Sequence, residues 1–176
     1  MKRRVAALLI MSMLAVSALA GCNTGGTANN MEITEVVFVR TGGDVDMTEV
    51  FYFGPDLTLG RQVFKGGFSY SDGNELMAVL GTMSSYLEPL QISEDAWQSI
   101  VLEAKRVDFM TLPEELETSE QVSDGSTYYI CVEAGGDTHV SGGYAAGIGM
   151  DSDNRRFGYL KEYIEIAIDE AIPLED

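Results

Sequence analysis

His139 and Ser141 are the residues whose types and spacing come closest to a nucleophilic pair. His139 is the only histidine in the chain, and Ser141 follows two positions later in a segment that reads as a strand. Residues two apart on a strand point to the same side of the sheet and lie roughly 6.6 Å from each other. No G-x-S-x-G elbow surrounds Ser141, which a hydrolase of that type would need. The pair therefore favours a binding or interface role, with hydrolysis as the alternative.

Tyr144 lies in a glycine-rich run, residues 142–149, that precedes a predicted helix. The run matches neither G-x-G-x-x-G nor the Lys-Ser/Thr ending of a phosphate-binding loop. We interpret it as a flexible or tightly bent connection, in which Tyr144 contributes to a contact patch. The predicted binding residues are thus His139, Ser141 and Tyr144, and no catalytic residue is assigned.

Residues 151–162 carry oxygen ligands at the first, third and twelfth positions of a calcium loop. Arg155 and Arg156 occupy the fifth and sixth positions, where the EF-hand pattern needs a ligand and a turn-making glycine. We therefore expect a helix cap here and assign no metal ligand and no cofactor. The sequence leaves a looser cation site elsewhere open, because the chain has 28 acidic residues.

The strands that position these residues follow from alternating hydrophobicity. The pattern predicts three strands near the start of the domain, at residues 32–40, 47–53 and 57–64. Short glycine-containing turns between them favour an antiparallel meander. Gly60 inside the third strand predicts a bulge or a close backbone approach. Residues 68–90 have partly helical spacing, and we expect one short helix there.

Ser93 is the predicted cap of the first main helix, with Ile92 packing on Trp97 as a hydrophobic staple. Trp97 belongs to an apolar stripe, so we expect it in the core rather than stacked on a ligand. The helix should end near Asp108. Residues 114–125 are acidic and turn-rich, and we expect them to be exposed.

A hairpin and a second helix complete the domain. Residues 126–132 should pair with residues 138–141, and Asp153 or Asn154 should cap a helix that Pro173 terminates. Strands grouped before and between two helices indicate an α+β fold. We expect an antiparallel β-sheet, made of the N-terminal meander and the later hairpin, covered by two main helices.

The first 21 residues have the three parts of a secretory signal. Three basic residues at positions 2–4 precede an apolar stretch at 5–16, and small residues follow up to Gly21. The apolar stretch is shorter than the ~20 residues that a spanning helix needs. We therefore expect a targeting segment rather than a membrane span.

Leu19-Ala20-Gly21-Cys22 is similar to the lipobox of bacterial lipoproteins. The resemblance implies cleavage before Cys22 and a diacylglyceryl group on its sulfur, which would leave Cys131 as the second cysteine, with no intramolecular disulfide. Cys131 lies in a predicted strand, where cysteine is usually a small buried hydrophobe. The remainder of the chain resembles small uncharacterised bacterial lipoproteins of no named family, which implies a location and no specific activity.

Three parts of the chain follow from these patterns. Residues 1–21 form the signal peptide, 22–30 the lipidated cysteine and a flexible tether, and 31–176 a single α+β domain. The eight tether residues after Cys22 include no charge and no large apolar side chain, and they reach at most about 28 Å when extended. The domain should therefore stay close to the extracytoplasmic face of the cell membrane.

The net charge of −17 excludes nucleic acid as a partner, because the 11 basic residues are scattered among 28 acidic ones. We expect a membrane-anchored, non-catalytic binding or protein-interaction module whose partner is a protein or a small ligand outside the cytoplasm. The alternative is an extracytoplasmic hydrolase that uses His139 and Ser141 or a carboxylate pair.

Overall fold

A computed structural model of the chain describes residues 31–42, 47–65, 88–118, 121–123 and 125–174. The predicted signal peptide, Cys22 and the tether lie outside these residues. So does the short helix predicted within residues 68–90, apart from the last three positions, which begin a strand.

The described residues form one antiparallel sheet, two α-helices and a short 3₁₀ turn. The strands are β1 (Ile33–Gly42), β2 (Met47–Phe53), β3 (Thr58–Lys65), β4 (Glu88–Gln91), β5 (Ser126–Ala134), β6 (Asp137–Tyr144) and β7 (Ile172–Pro173). The helices are α1 (Glu94–Arg106) and α2 (Ser152–Glu170), and the 3₁₀ turn is Phe109–Thr111. The strand order is β6-β5-β1-β2-β3-β4-β7, and every neighbouring pair is antiparallel. The α+β class, the meander and the hairpin are therefore confirmed.

The two faces of the sheet carry different cores. We define the first face of the sheet as the one whose side chains share a buried cluster with both helices. Its strand residues are Ile33, Val36, Phe38, Phe51, Phe53, Leu59, Ile130, Val132 and Ala134. Trp97 and Ile100 of α1, and Phe157 and Leu160 of α2, belong to the same cluster. The second face is defined by a separate buried cluster of Val37, Val39, Val50, Tyr129, Cys131 and Val140. Strand alternation, as predicted for β1, produces this division.

One prediction about strand register needs correction. The register of β2 with β3 runs from Met47 opposite Lys65 to Phe53 opposite Leu59 without a shift, so of the two alternatives predicted at Gly60, a bulge or a close backbone approach, the bulge is wrong. The irregularity lies instead in β1, where the register with β5 shifts between Ile33 and Glu35. That shift brings Ile33 into the first-face cluster, whereas Glu35 keeps the alternation of Val37 and Val39 and lies on the second face.

Ser93 caps α1 as predicted. Its hydroxyl oxygen accepts a hydrogen bond from the Ala96 backbone N–H at 3.1 Å, and Trp97 is buried in the core. The predicted cap of α2, Asp153 or Asn154, is wrong, since Asp151 occupies that position with extended backbone angles. Its carboxylate accepts from the backbone N–H groups of Asp153 and Asn154 at 3.1 and 2.8 Å.

Candidate functional site

His139 and Ser141 lie on the first face of β6, and each is held by a backbone carbonyl. The Nε2–H of His139 donates to the Leu112 oxygen at 2.9 Å, and the Ser141 hydroxyl donates to the Pro113 oxygen at 2.6 Å. Ser141 is 0% exposed, and the His139 ring meets the Phe109 ring edge-on with 5.7 Å between centroids. Both side chains therefore donate to the segment that follows α1 and not to each other. These two hydrogen bonds hold that segment against β6.

That segment extends the sheet by a short parallel bridge. The Leu116 N–H donates to the Gly142 oxygen at 2.7 Å, and the Gly142 N–H donates to the Glu114 oxygen at 3.1 Å. Leu116 is buried, so the expectation of an exposed loop over residues 114–125 is wrong at this position. An apolar residue flanked by acidic residues gives little sequence signal for such an edge contact.

Glycines 142 and 143 make the close approach possible. A Cβ at Gly142 would lie 2.2 Å from the Tyr128 backbone oxygen, and one at Gly143 would lie 2.6 Å from the Leu116 oxygen. Gly143 also has a φ of +153°, which other residues rarely adopt. At these two positions the glycine-rich run therefore allows neighbouring backbone to pack closely against β6.

Tyr144 ends β6 and is 47% exposed. Its hydroxyl donates to the Val122 oxygen at 3.1 Å and accepts from the Gly125 N–H at 2.9 Å. Only the ring is thus open to a partner. His139 and Ser141 therefore bind the same segment, at Leu112 and Pro113. Tyr144 binds a different one, at Val122 and Gly125.

The side chain of Asn154 connects two loops by hydrogen bonds, a role that the sequence did not predict. It is 1% exposed, and its side-chain oxygen accepts from the Gly147 N–H at 2.9 Å. Its amide group donates to the Glu117 oxygen and to the Asp151 carboxylate, both at 2.9 Å. These backbone and side-chain bonds from Asn154 lower the pKa of Asp151. The calcium-like spacing is therefore used as a cap, and the described residues hold no group of three or more potential metal ligands.

A groove of about 560 Å³ opens on the second face beside the start of β1. Its walls include Thr34, Glu35, Tyr52, Asp56, Gly60 and Pro89. The lining residues that the structure describes include two carboxylates and no basic side chain. Such walls favour a ligand that presents a positive charge and some apolar surface.

Two titratable groups of this groove, Glu35 and Tyr52, are pushed towards their neutral forms, whereas hydrogen bonds from Thr58 lower the pKa of Asp56. Burial, and then the facing Glu133 across β1 and β5, raise the pKa of Glu35. Burial and the charge of Glu35 raise the pKa of Tyr52 to about 12. The Tyr52 hydroxyl is buried and has no hydrogen-bond partner within the part of the chain that the structure describes. These residues come from separate strands, so no local spacing in the sequence could have identified them.

Cys131 lies in the buried cluster of the second face. Burial, followed by the charges of Glu35 and Glu133, raises the pKa of its thiol to about 12. A nucleophilic cysteine needs a lowered pKa, so this residue has the character of a small hydrophobe at neutral pH. The prediction made for Cys131 is confirmed in that respect.

Comparison with known proteins identifies no relative of the chain: no protein family model, no curated protein and no solved structure matches it. Within the described ranges, neither helix combines the length and apolarity needed to cross a membrane.

Proposed function

We propose that this chain is a lipoprotein, anchored through Cys22 at the extracytoplasmic face of a bacterial cell membrane, whose folded part is a non-catalytic binding or protein-interaction module. The observation that carries the proposal is the sequence Leu19-Ala20-Gly21-Cys22 at the end of a signal-like segment. Stable anchoring takes more than one acyl chain, at roughly 0.8 kcal/mol per buried methylene, and a diacylglyceryl group meets that condition.

Three features of the folded part support a binding role over hydrolysis. The Ser141 hydroxyl is buried and donates a hydrogen bond to a backbone oxygen. The His139 ring also donates a hydrogen bond to a backbone oxygen. The Cys131 thiol is held in its protonated form. The hydrolytic alternative, through His139 and Ser141 or a carboxylate pair, therefore draws no support from these bonds.

The architecture assigned to this module is a layered one. We take α1 and α2 to cover the first face of the sheet, because both helices contribute to the core cluster of that face. The groove beside Tyr52 is then the position for a ligand, and its carboxylates favour one with a positive charge.

The anchor is tested by growing bacteria that express the full chain with labelled palmitate. We expect label on the wild-type chain and on Cys131→Ala, and none on Cys22→Ala, because each variant removes one of the two cysteines. Cys131→Ala is the matched control, since it leaves the lipobox intact. Label that persists on Cys22→Ala, or that disappears with Cys131→Ala, would contradict the proposal.

A further inference from the structure

The outward side of α2 carries an apolar stripe with no covering element in the described structure. Tyr159, Tyr163 and Ile166 are 48%, 41% and 47% exposed. They are spaced by four and three residues, so they lie along one side of the helix. Three large apolar side chains in a row are more than scattered surface exposure requires.

The stripe continues onto α1. The Arg106 guanidinium carbon lies 5.0 Å from the centre of the Tyr159 ring, and Leu102, one turn earlier on α1, is 65% exposed. We call Leu102, Arg106, Tyr159, Tyr163 and Ile166 the helix-pair patch. Tyrosine and arginine are the residues that protein interfaces favour, and both are held here on rigid helices.

The exposed charges of α2 differ between its start and its end. Arg155 is exposed near the start of the helix, whereas Asp169 and Glu170 are exposed in the last turn, which has no basic residue. The dipole favours acids at the start of a helix, where α2 has Asp151 as its cap and Asp153 in the first turn, so only the acids of the last turn oppose it. On the exposed side, the order of one base near the start and two acids at the end is complementary to a second helix of the same sequence that runs in the opposite direction.

We infer that the helix-pair patch binds a second copy of this chain, with the two α2 helices packed antiparallel about a twofold axis. When the axis passes between Glu162 and Tyr163, Arg155 faces Glu170 of the second copy and Tyr159 faces Ile166. Each contact then occurs twice, as in an isologous dimer. The exposed charges on and beside the patch are two basic and three acidic (Arg106, Arg155, Glu162, Asp169 and Glu170), so this side escapes most of the repulsion expected from a chain of net charge −17.

Crosslinking of the full chain in bacterial membranes tests the inference. Glu162→Cys places a thiol beside the axis, so a short bis-maleimide should give a product of twice the monomer mass. Thr138→Cys is the control, because it is also exposed but lies on β6. The wild-type chain, with Cys22 and Cys131 only, should pair in the same way but give no crosslinked product, because Cys131 is buried and Cys22 is the proposed lipid attachment. Equal crosslinking of the Glu162→Cys and Thr138→Cys chains, or none of either, would overturn the inference.

A charge exchange in the Glu162→Cys background separates specific pairing from chance collisions in the membrane. Arg155→Glu should reduce the dimer yield several-fold, and adding Glu170→Arg should restore it. Arg155→Glu places an acid near the helix start, which the dipole favours, so a lost dimer is not explained by a melted helix. A dimer yield that stays the same in both variants would show that α2 is not the paired surface. The inference goes beyond the proposed anchor, and a chain that fails to incorporate palmitate can still form this crosslink.

Discussion

The two faces of one sheet are built by alternate residues of the same strands, yet they differ in kind. Phe38 of the first face packs with two aromatic neighbours, Phe51 and Tyr128, with ring centroids 6.2 and 6.0 Å away. The next residue, Val39, points to the second face, whose cluster is mostly valine with one tyrosine and one cysteine. Large side chains make the first face the main source of burial energy. The smaller second face leaves room for the groove and for titratable groups.

The carboxylates of β1 and β2 show the same contrast. Glu49 follows the alternation of Phe51 on the first face and is bound by Arg40 and Arg61, the latter at 2.8 Å. Burial alone would raise the pKa of Glu49, but the two arginines outweigh it and the pKa is lowered. Glu35 on the second face meets Glu133 instead, and its pKa is raised. The first face thus pairs its carboxylate with opposite charges, whereas the second face places two carboxylates opposite each other.

The largest expected effect separates the two cores. Phe38→Ala should lower the free energy of unfolding by about 3–5 kcal/mol, because it removes a fully buried ring. Val39→Ala on the neighbouring position deletes fewer atoms from the smaller cluster and should cost clearly less. Urea denaturation followed by circular dichroism measures both. Equal losses would show that the second face contributes as much to stability as the first.

A smaller loss is expected where the chain after α1 is fixed to β6. Ser141→Ala should lower the free energy of unfolding by roughly 1–3 kcal/mol, because it removes the donor to the Pro113 oxygen. Hydrogen exchange should rise at the Leu116 amide, whose partner is Gly142 of the same edge. An unchanged stability, together with lost turnover of an ester or peptide substrate, would instead favour the hydrolytic alternative.

The two carboxylates should respond to pH with opposite signs. Glu49 has a folded pKa below 4.5, so its stabilising contribution is present above pH 4.5 and is lost as the pH falls through the folded value. Glu35 has a folded pKa above 4.5, so its contribution is present below pH 4.5 and is lost as the pH rises through the folded value.

Glu49→Gln should therefore lower the denaturation midpoint at neutral pH, and Glu35→Gln should raise it. Both differences should shrink in acid, where the wild-type carboxyls are themselves neutral. Denaturation midpoints across the acidic to neutral range provide the measurement. Shifts of the same sign for both variants at neutral pH would remove the electrostatic contrast between the faces.

The smallest expected effect is a gain. Tyr52→Phe removes a buried hydroxyl that has no partner among the described residues, so stability should rise by about 1 kcal/mol or less. Val50→Thr, on the same strand and face, adds a buried hydroxyl and should act in the opposite direction. A loss of stability in Tyr52→Phe would mean that the hydroxyl makes a bond important to the native state.

Local signals account for what the sequence predicted correctly. Ser93 before an apolar stripe marks the start of α1, and Gly135-Gly136 between alternating segments marks the β5–β6 turn. Trp97 in the core follows from helical spacing alone. Each of these features depends on neighbours within a few positions of the chain.

The features that the sequence missed depend on distant partners. β4 and β7 are four and two residues long, and they exist because β4 pairs with β3 and β7 pairs with β4. The α2 cap was predicted two or three residues late because Asp151, Asp153 and Asn154 are all good capping residues. Hydrogen bonds with the backbone of Gly147 and Glu117 hold Asn154 in the interior instead. The groove needs residues from β1, β2, β3 and β4, which no spacing rule connects.

The most direct test of the anchored module is the intact mass of the chain extracted from bacterial membranes. The account predicts a chain that begins at Cys22 and carries a diacylglyceryl group, since cleavage and lipidation occur together at a lipobox cysteine. An unmodified mass, or a chain that retains residues 1–21, would contradict it.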